Sequence, residues 1–503
     1  MSSRVVCNTV LDSNPEQSDW SHRQKCIYTA KRHYNSGTRS PDAPRGATSS
    51  ATTNYEPAVA RPNSRPHTSN PRPKTKSKTP ARDNERNTDD PENSIATISR
   101  RIEIRGTTPL AGSASQHTNK GQPPLIENGV LYVLDRGDHV KVPGRWVRDI
   151  CPCPQCRNQD TAQRQINVFQ ADSSKTRVAS ADMSEWPIHV KVKFEDGHET
   201  TVKGDVILGR RSYPSARARE GIVEIKPWTS SISENPPSVE YETIQAGPGM
   251  AVLMQKIRTH GFAFVDNMPA TPEATQALLE TIGPIRNTHY GGFYDFTSDL
   301  SSKDTAYTSE ALEPHTDNTY FTEPAGLQAL HLLSHTDGSG GESSLVDGFA
   351  AAEQLFKENN GSYLRLSMTG VYAHASGNEG ISIQPSQAFP TFTHSEQYNK
   401  LIQVRWNNAD RAGVATPWPH LDRWYDAAGK FDSILNNEKN QYWFQLKPGR
   451  MLLFDNWRCL HGRSAFTGKR RMCGGYIGRD DYVSRFRTTN LSKEELEAST
   501  VTG

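Results

Sequence analysis

The stretch Asp304-Thr-Ala-Tyr-Thr-Ser-Glu-Ala-Leu-Glu-Pro-His315-Thr-Asp317-Asn-Thr-Tyr320 decides how the rest of the chain is read. Its His-x-Asp pair sets an imidazole and a carboxylate two residues apart, and on a strand residues i and i+2 share a face. Such a pair supplies two ligands of a two-histidine, one-carboxylate triad, the donor set that leaves positions open on a ferrous ion. The motif alone discriminates little, because His335/Asp337 and His420/Asp422 repeat it. The first runs into Gly338-Ser-Gly-Gly and reads as a turn. The second opens an amphipathic helix, where i and i+2 diverge. Only His315 leads into a strand-like apolar segment, Ala325 to Leu333.

Composition narrows the partners. The chain has 503 residues with 58 basic against 56 acidic side chains, a net charge of +2. No overall field favours nucleic acid, and no apolar run reaches membrane-spanning length. A small-molecule partner is expected. Met1 to Thr9 lacks the continuous apolar core of a secretory signal, so the placement expected is intracellular, in mitochondrion or cytoplasm. Seven cysteines, three crowded into Cys151-Pro-Cys153-Pro-Gln-Cys156, suit a reducing compartment and a metal site better than a disulfide framework.

Along the chain, residues 1–122 form a Ser-, Thr-, Asn-, Pro- and Arg-rich arm with too little apolar surface to offset chain entropy. Short alternating strands then predict a small β-rich domain over 123–210: Val130–Leu134, Trp186–Phe194 and Glu199–Lys203. With His198 from the Glu195-Asp-Gly-His turn, the three cysteines make a Cys₃His set, the composition of a closed structural zinc site. A connecting segment is expected over 211–245. Over 246–503 come helices near Gly249–His260 and Thr271–Ile282, a strand at Gly261–Val265, a capped helix from Asp347, and closing strands at Gly449–Phe454 and Arg471–Ile477. Short β-segments flanked by helices predict a mainly β fold, a double-stranded β-helix (jelly-roll) with helices outside it. His461, following an apolar strand, is the natural third ligand. Arg470, just downstream, is placed to form a bidentate pair with a dicarboxylate, while Arg471 faces the other side of the strand.

Several motifs together resemble the Fe(II)- and 2-oxoglutarate-dependent dioxygenases of the taurine dioxygenase superfamily, in the branch that serves carnitine biosynthesis. They are Phe296-Thr-Ser-Asp, Asp304-Thr-Ala-Tyr-Thr, His315-Thr-Asp317, Gly340 to Phe349, Phe454-Asp-Asn-Trp-Arg-Cys-Leu-His461-Gly-Arg463 and the cysteine cluster. The resemblance covers about residues 125–485. It implies iron ligands His315, Asp317 and His461, 2-oxoglutarate contacts Arg470 and Ser343, ascorbate as the reductant, and a homodimer. It also implies an aromatic cage, Tyr290, Tyr294, Tyr307 and Tyr476, for a trimethylammonium group, which donates no hydrogen bond and is held by aromatic faces.

Two substrates compete within the branch. Trimethyllysine carries an α-ammonium group that γ-butyrobetaine lacks, so the Asp304 carboxylate favours the first and repels the second. Asn407 resembles a contact to the substrate carboxylate. Cys153, completing a three-cysteine cluster, pulls toward the butyrobetaine enzymes, but at a site remote from the pocket. The expected reaction is hydroxylation of N6,N6,N6-trimethyllysine at its β-carbon. γ-Butyrobetaine hydroxylation is the alternative, and a non-catalytic betaine-binding role the second.

Overall fold

The computed structural model describes residues 125–135, 137–207, 223–297, 308–395, 400–493 and 495–496. The expected arm, Asp304 and Tyr307 lie outside them.

At the N-terminal end, β1 (Leu125–Glu127), β2 (Val130–Asp135) and β3 (Asp138–Val142) form one antiparallel sheet, followed by helix α1 (Gly144–Asp149). A second antiparallel sheet joins β4 (Val178–Asp182), β5 (His189–Phe194) and β6 (Glu199–Lys203). Alternation along β5 turns Val190, Val192 and Phe194 inward, and these pack with Leu131, Val133, Val142, Val147 and Val202 in a common core.

The larger part of the chain adds fifteen strands among the described residues. The first six are β7 (Ser238–Glu240), β8 (Phe262–Asp266), β9 (Tyr294–Thr297), β10 (Leu312–His315), β11 (Leu327–Thr336) and β12 (Ser343–Asp347). Short peripheral strands follow: β13 (Gly370–Ala373), β14 (Phe389–Pro390), β15 (Phe392–His394), β16 (Leu401–Val404) and β17 (Arg411–Ala415). The last four are β18 (Gln441–Phe444), β19 (Met451–Asp455), β20 (Cys459–Arg463) and β21 (Lys469–Ile477). A six-stranded sheet runs β7-β8-β19-β11-β21-β9 and a four-stranded one β10-β20-β12-β18. Phe262, Phe264, Leu332, Leu452, Phe454 and Met472 of the large sheet share a core with Leu345, Tyr442 and Cys459 of the small one, so the two sheets face each other.

Helices cover both outer faces. On the large sheet lie α2 (Pro248–His260), α3 (Pro272–Ile282) and, near the C-terminus, Arg479–Asn490; Leu253, Met254, Ile257, Leu278, Leu279 and Phe486 pack against Ala263, Val265, Ala329, Leu453 and Ile477. On the small sheet, Gly348–Glu358, Asn360–Met368 and Leu421–Leu435 pack Leu355, Leu366 and Phe431 with Val346 and Leu460. Local chemistry sets the helix starts. Thr271 accepts from the Ala274 N–H ahead of Pro272, and Asp347 Oδ1 accepts from the Phe349 N–H at 3.0 Å, both N-cap arrangements.

Two features depart from the sequence reading. The segment expected as a connection contributes to the larger part: β7 pairs parallel with β8, and Trp228 is buried in the inter-sheet core. The His-x-Asp pair also does not lie wholly on a strand. β10 ends at His315, and Asp317 sits beyond it, beside Asn318 at φ 62°, so a turn and not strand alternation brings the carboxylate back.

Candidate active site

His315 and His461 stand opposite each other in register across β10 and β20, with ring centroids 4.2 Å apart. Asp317 Oδ1 completes the group, 3.3 Å from His315 Nε2 and 3.8 Å from His461 Nε2. His315 Nδ1 lies 2.8 Å from the Glu313 carbonyl oxygen; donating there fixes the tautomer and leaves Nε2 as the free ligand atom. Burial would raise the Asp317 carboxyl, but His461, His315 and Tyr476 outweigh it and hold the group below the ordinary carboxylate range. Burial and the neighbouring His315 push His461 down to about 3. One carboxylate and two imidazole nitrogens thus converge as the donor set of a facial triad.

Three side chains hold this group in place. The buried Asn456, on the β19–β20 connection, accepts from the Asp317 N–H at 2.8 Å and donates to the carbonyls of Asp317 and Ala325, each at 3.0 Å. The Tyr476 hydroxyl donates to Asp317 Oδ2 at 2.6 Å. Thr316, between His315 and Asp317, accepts from the Trp406 N–H at 3.0 Å, and its own N–H donates to the Trp406 carbonyl at 2.7 Å.

The triad borders a cavity of about 370 Å³. At one end Arg470 is buried, its Nε has no hydrogen-bond partner, and burial pushes its pKa down to about 10. The Gly340-Gly341 turn makes room for it. Both glycines take positive φ, and a Cβ on Gly341 would stand 3.1 Å from the Arg470 guanidinium carbon. Ser343 lines the same cavity. A buried cation with no carboxylate bridge among the described residues calls for an anionic ligand. Arg471 points the other way and pairs with Asp295 at 2.6 Å.

Of the expected cage, Tyr290, Tyr294 and Tyr476 line the cavity, joined by Tyr320; the rings of Tyr294 and Tyr476 lie 5.9 Å apart, edge to face. Tyr476 therefore serves both the wall and the Asp317 carboxylate. Asn407 also lines the cavity, but its amide is engaged locally: Nδ2 donates to Asp410 Oδ2 at 2.8 Å, and Oδ1 accepts from the Ala409 and Asp410 N–H groups. This sets the Asp410 carboxylate on the same wall.

In the N-terminal unit, Cys151, Cys153 and Cys156 converge on His198 Nε2, their sulfurs at 3.3, 3.8 and 3.7 Å. Gln155 Oε1 lies 3.3 Å from the other ring nitrogen. Burial and the neighbouring Cys151 push the Cys156 thiol up to about 12, so a cation is what would hold this sulfur as a thiolate. The four donors fit a tetrahedral metal site.

Residues 224–476 match the model of the taurine catabolism dioxygenase TauD, TfdA family. The chain belongs to that family. Its residues 128–202 match a second model, gamma-butyrobetaine hydroxylase-like, N-terminal. Among individual relatives, a trimethyllysine dioxygenase of Neurospora crassa is 42% identical over 397 residues, 72% of this chain and 83% of that protein. A mitochondrial trimethyllysine dioxygenase of Homo sapiens is 37% identical over 366 residues, 69% and 82% of the two chains. A gamma-butyrobetaine dioxygenase of Pongo abelii is more distant, at 25% over 357 residues, 69% and 90%.

As a TauD/TfdA-family member the chain is an iron- and 2-oxoglutarate-dependent dioxygenase. The structure brings His315, Asp317, His461, Arg470, Ser343 and three of the four expected tyrosines to one cavity. The sequence reading missed Asn456, Tyr320 and Asp410. Asn456 and Tyr320 lie inside motifs quoted for other residues and Asp410 follows Asn407 closely, but nothing in their spacing announces the loops that turn them inward.

Proposed function

We propose that the chain hydroxylates N6,N6,N6-trimethyllysine at the β-carbon, giving 3-hydroxytrimethyllysine, succinate and CO₂ from the amino acid, 2-oxoglutarate and O₂. The observation that carries this reading is the pairing of a triad with a tyrosine-walled cavity in a chain whose trimethyllysine dioxygenase relatives are far more similar than its butyrobetaine relative.

His315, Asp317 and His461 are assigned to iron, which when bound couples O₂ reduction to decarboxylation of 2-oxoglutarate and oxidation of a C–H bond. The remaining work belongs to the chain. Arg470 and Ser343 take the distal carboxylate of 2-oxoglutarate, with Arg470 as a charge-assisted clamp. The faces of Tyr290, Tyr294, Tyr307 and Tyr476 hold the trimethylammonium group. Asp304 meets the α-ammonium group and Asn407 the α-carboxylate. Fixing both ends of the substrate selects which carbon faces the iron. The two facing sheets support the jelly-roll reading of the fold.

For the rest of the chain, the Cys₃His set is assigned to structural zinc in a domain over 123–210, after an arm over 1–122. Residues 211–245 connect it to a dioxygenase domain over 246–503, to which β7 lends an edge strand. Ascorbate serves to keep the iron ferrous. A homodimer follows from the family resemblance, and sedimentation of the full chain tests it. Relatives named mitochondrial support an intracellular placement, in mitochondrion or cytoplasm. No helix among the described residues is long and apolar enough to cross a membrane.

The test is succinate release with Fe(II), 2-oxoglutarate and ascorbate, comparing trimethyllysine with γ-butyrobetaine in wild type and Asp304→Asn. Turnover with trimethyllysine, lost in the variant, is the expected result. A preference for γ-butyrobetaine would overturn the substrate assignment.

A further inference from the structure

Among the described residues, three carboxylates line the cavity: Glu313, Asp317 and Asp410. Asp317 belongs to the triad and Glu313 is exposed, whereas Asp410 is half-buried in the loop between β16 and β17. Asp410 has no part in the assignments to iron, 2-oxoglutarate or substrate. Its main chain is pinned on both sides, the N–H donating to Asn407 Oδ1 at 3.2 Å and the carbonyl accepting from the His374 N–H at 3.0 Å. Its Oδ2 accepts from Asn407 Nδ2 at 2.8 Å and from Thr319 Oγ1 at 3.4 Å. The adjacent cation, Arg411, lies over the rings of Trp424 and Tyr425, 5.6 Å from each centroid. Burial pushes the Tyr320 hydroxyl up, and the charges of Asp317 and Asp410 push it further. The charge of Asp410 is therefore felt in the cavity that Tyr320 lines.

The surroundings of Asp410 indicate what this charge receives. Thr316 is bonded both ways to the main chain of Trp406, which sets the start of the loop beside the triad. A group held on the loop therefore lies close to the reacting carbon. A side-chain amide carries two N–H donors, and Asn407 gives one to Asp410, leaving the second for the substrate carboxylate assigned to it. In an α-amino acid the carboxylate and the ammonium share one carbon. A carboxylate held by Asn407 thus leaves the ammonium beside Asp410, whose Oδ2 is 2.8 Å from the same amide nitrogen. The β-carbon is one bond from the centre so held. In a cavity of low dielectric an unmatched ammonium is costly, and a ligand with the carboxylate alone sets like charges together.

We propose that Asp410 is a specificity-determining residue, its carboxylate accepting a hydrogen bond from the α-ammonium group of the substrate while the Asn407 amide beside it takes the α-carboxylate. An ammonium has three N–H donors, so this contact adds to the one assigned to Asp304 and does not replace it. The proposal rests on the trimethyllysine reading above.

The test compares trimethyllysine with trimethylammonium hexanoate, the same molecule without its α-ammonium group. Calorimetric titration of the full chain loaded with Mn(II) and 2-oxoglutarate gives both Kd values without turnover, in wild type, Asp410→Asn and Asp410→Ala. Asp410→Asn keeps an acceptor for Asn407 and removes the charge. Wild type should prefer trimethyllysine, and Asp410→Asn should cut that preference about tenfold, the worth of one charge-assisted hydrogen bond, chiefly by weakening trimethyllysine. Asp410→Ala should cut the preference as far and weaken both ligands, because Asn407 loses its partner. An unchanged preference in Asp410→Asn would overturn the proposal. So would equal weakening of both ligands in both variants, which assigns Asp410 to positioning Asn407 alone. The preference is a ratio of two Kd values from one preparation, so a partly unfolded variant does not alter it. Wild type that turns over γ-butyrobetaine and not trimethyllysine would sink the substrate reading itself, and succinate release shows this before any variant is compared.

Discussion

The side-chain amide of Asn456 holds Asp317 by both polar atoms of its main chain, accepting from the N–H at 2.8 Å and donating to the carbonyl at 3.0 Å. Asp317 lies off the strand, so this amide, reaching from the connection that leads from one sheet to the strand bearing His461, takes the place of ladder hydrogen bonds. Removing it in Asn456→Ala frees the ligand's backbone. Metal affinity should fall about 10- to 100-fold, the range for outer partners of metal ligands. Asn456→Asp keeps the acceptor but turns a buried carboxylate oxygen toward the carbonyls of Asp317 and Ala325, so affinity should fall at least as far. Calorimetric titration with Mn(II) reads this directly, and unchanged affinity in Asn456→Ala would refute it.

Tyr476 separates two roles by substitution. Tyr476→Phe keeps the ring in the wall and removes the hydroxyl from Asp317 Oδ2. Metal binding should weaken about tenfold while KM for the trimethylammonium substrate changes little. Tyr476→Ala should raise that KM as well. Equal KM effects in the two variants would contradict the division.

The Asp347–Arg458 pair is a structural test outside the site. The two side chains meet at 2.7 Å and are almost completely buried. Arg458 also donates to the carbonyls of Thr259 and Lys226, while Asp347 accepts from the Phe349 N–H at the start of the helix over 348–358 and from the Trp228 N–H. Arg458→Met leaves a buried carboxylate without its cation and should cost about 3–5 kcal/mol in urea unfolding. Asp347→Leu added to Arg458→Met should recover part of that loss, because it removes the unpaired charge.

His331 gives a pH dependence with a definite sign. It is fully buried, lies 2.7 Å from Thr275 Oγ1, and accepts from the Gly449 N–H. Burial lowers its pKa from 6.5 to about 4. Below pH 6.5 the unfolded chain takes up a proton that the folded chain refuses. Stability is therefore full above 6.5 and falls as pH drops toward 4, by about 3 kcal/mol in all. Urea midpoints of His331→Gln between pH 7 and 4.5 should show a shallower fall than wild type. Parallel curves would rule out His331 as the source.

Much of this architecture was legible because its signals are local. Thr271 ahead of Pro272, Asp347 ahead of the helix over 348–358, and the apolar runs of β8, β19 and β21 announce their elements by type and period. The triad was legible in part. His461 was found as a strand-end histidine, and the pairing of β10 with β20 sets it opposite His315. The route by which Asp317 returns was not visible, since period two suggested a strand and the turn at Asn318 overrides it. Also hidden was Asn456, whose role depends on which strands become neighbours. That pairing is a long-range property, and the residue types alone do not carry it.

Thr316, the middle residue of His-x-Asp, is bonded in both directions to the main chain of Trp406. The segment that bears Asn407 and Asp410 is thus tethered to the interval between two proposed metal ligands, His315 and Asp317. A relative that adopts a new substrate can exchange side chains along 407–410, but it cannot reroute that segment without disturbing its own metal. Divergence within such a lineage should therefore run through the identity of these residues, with insertions and deletions pushed outward to the peripheral strands beyond them.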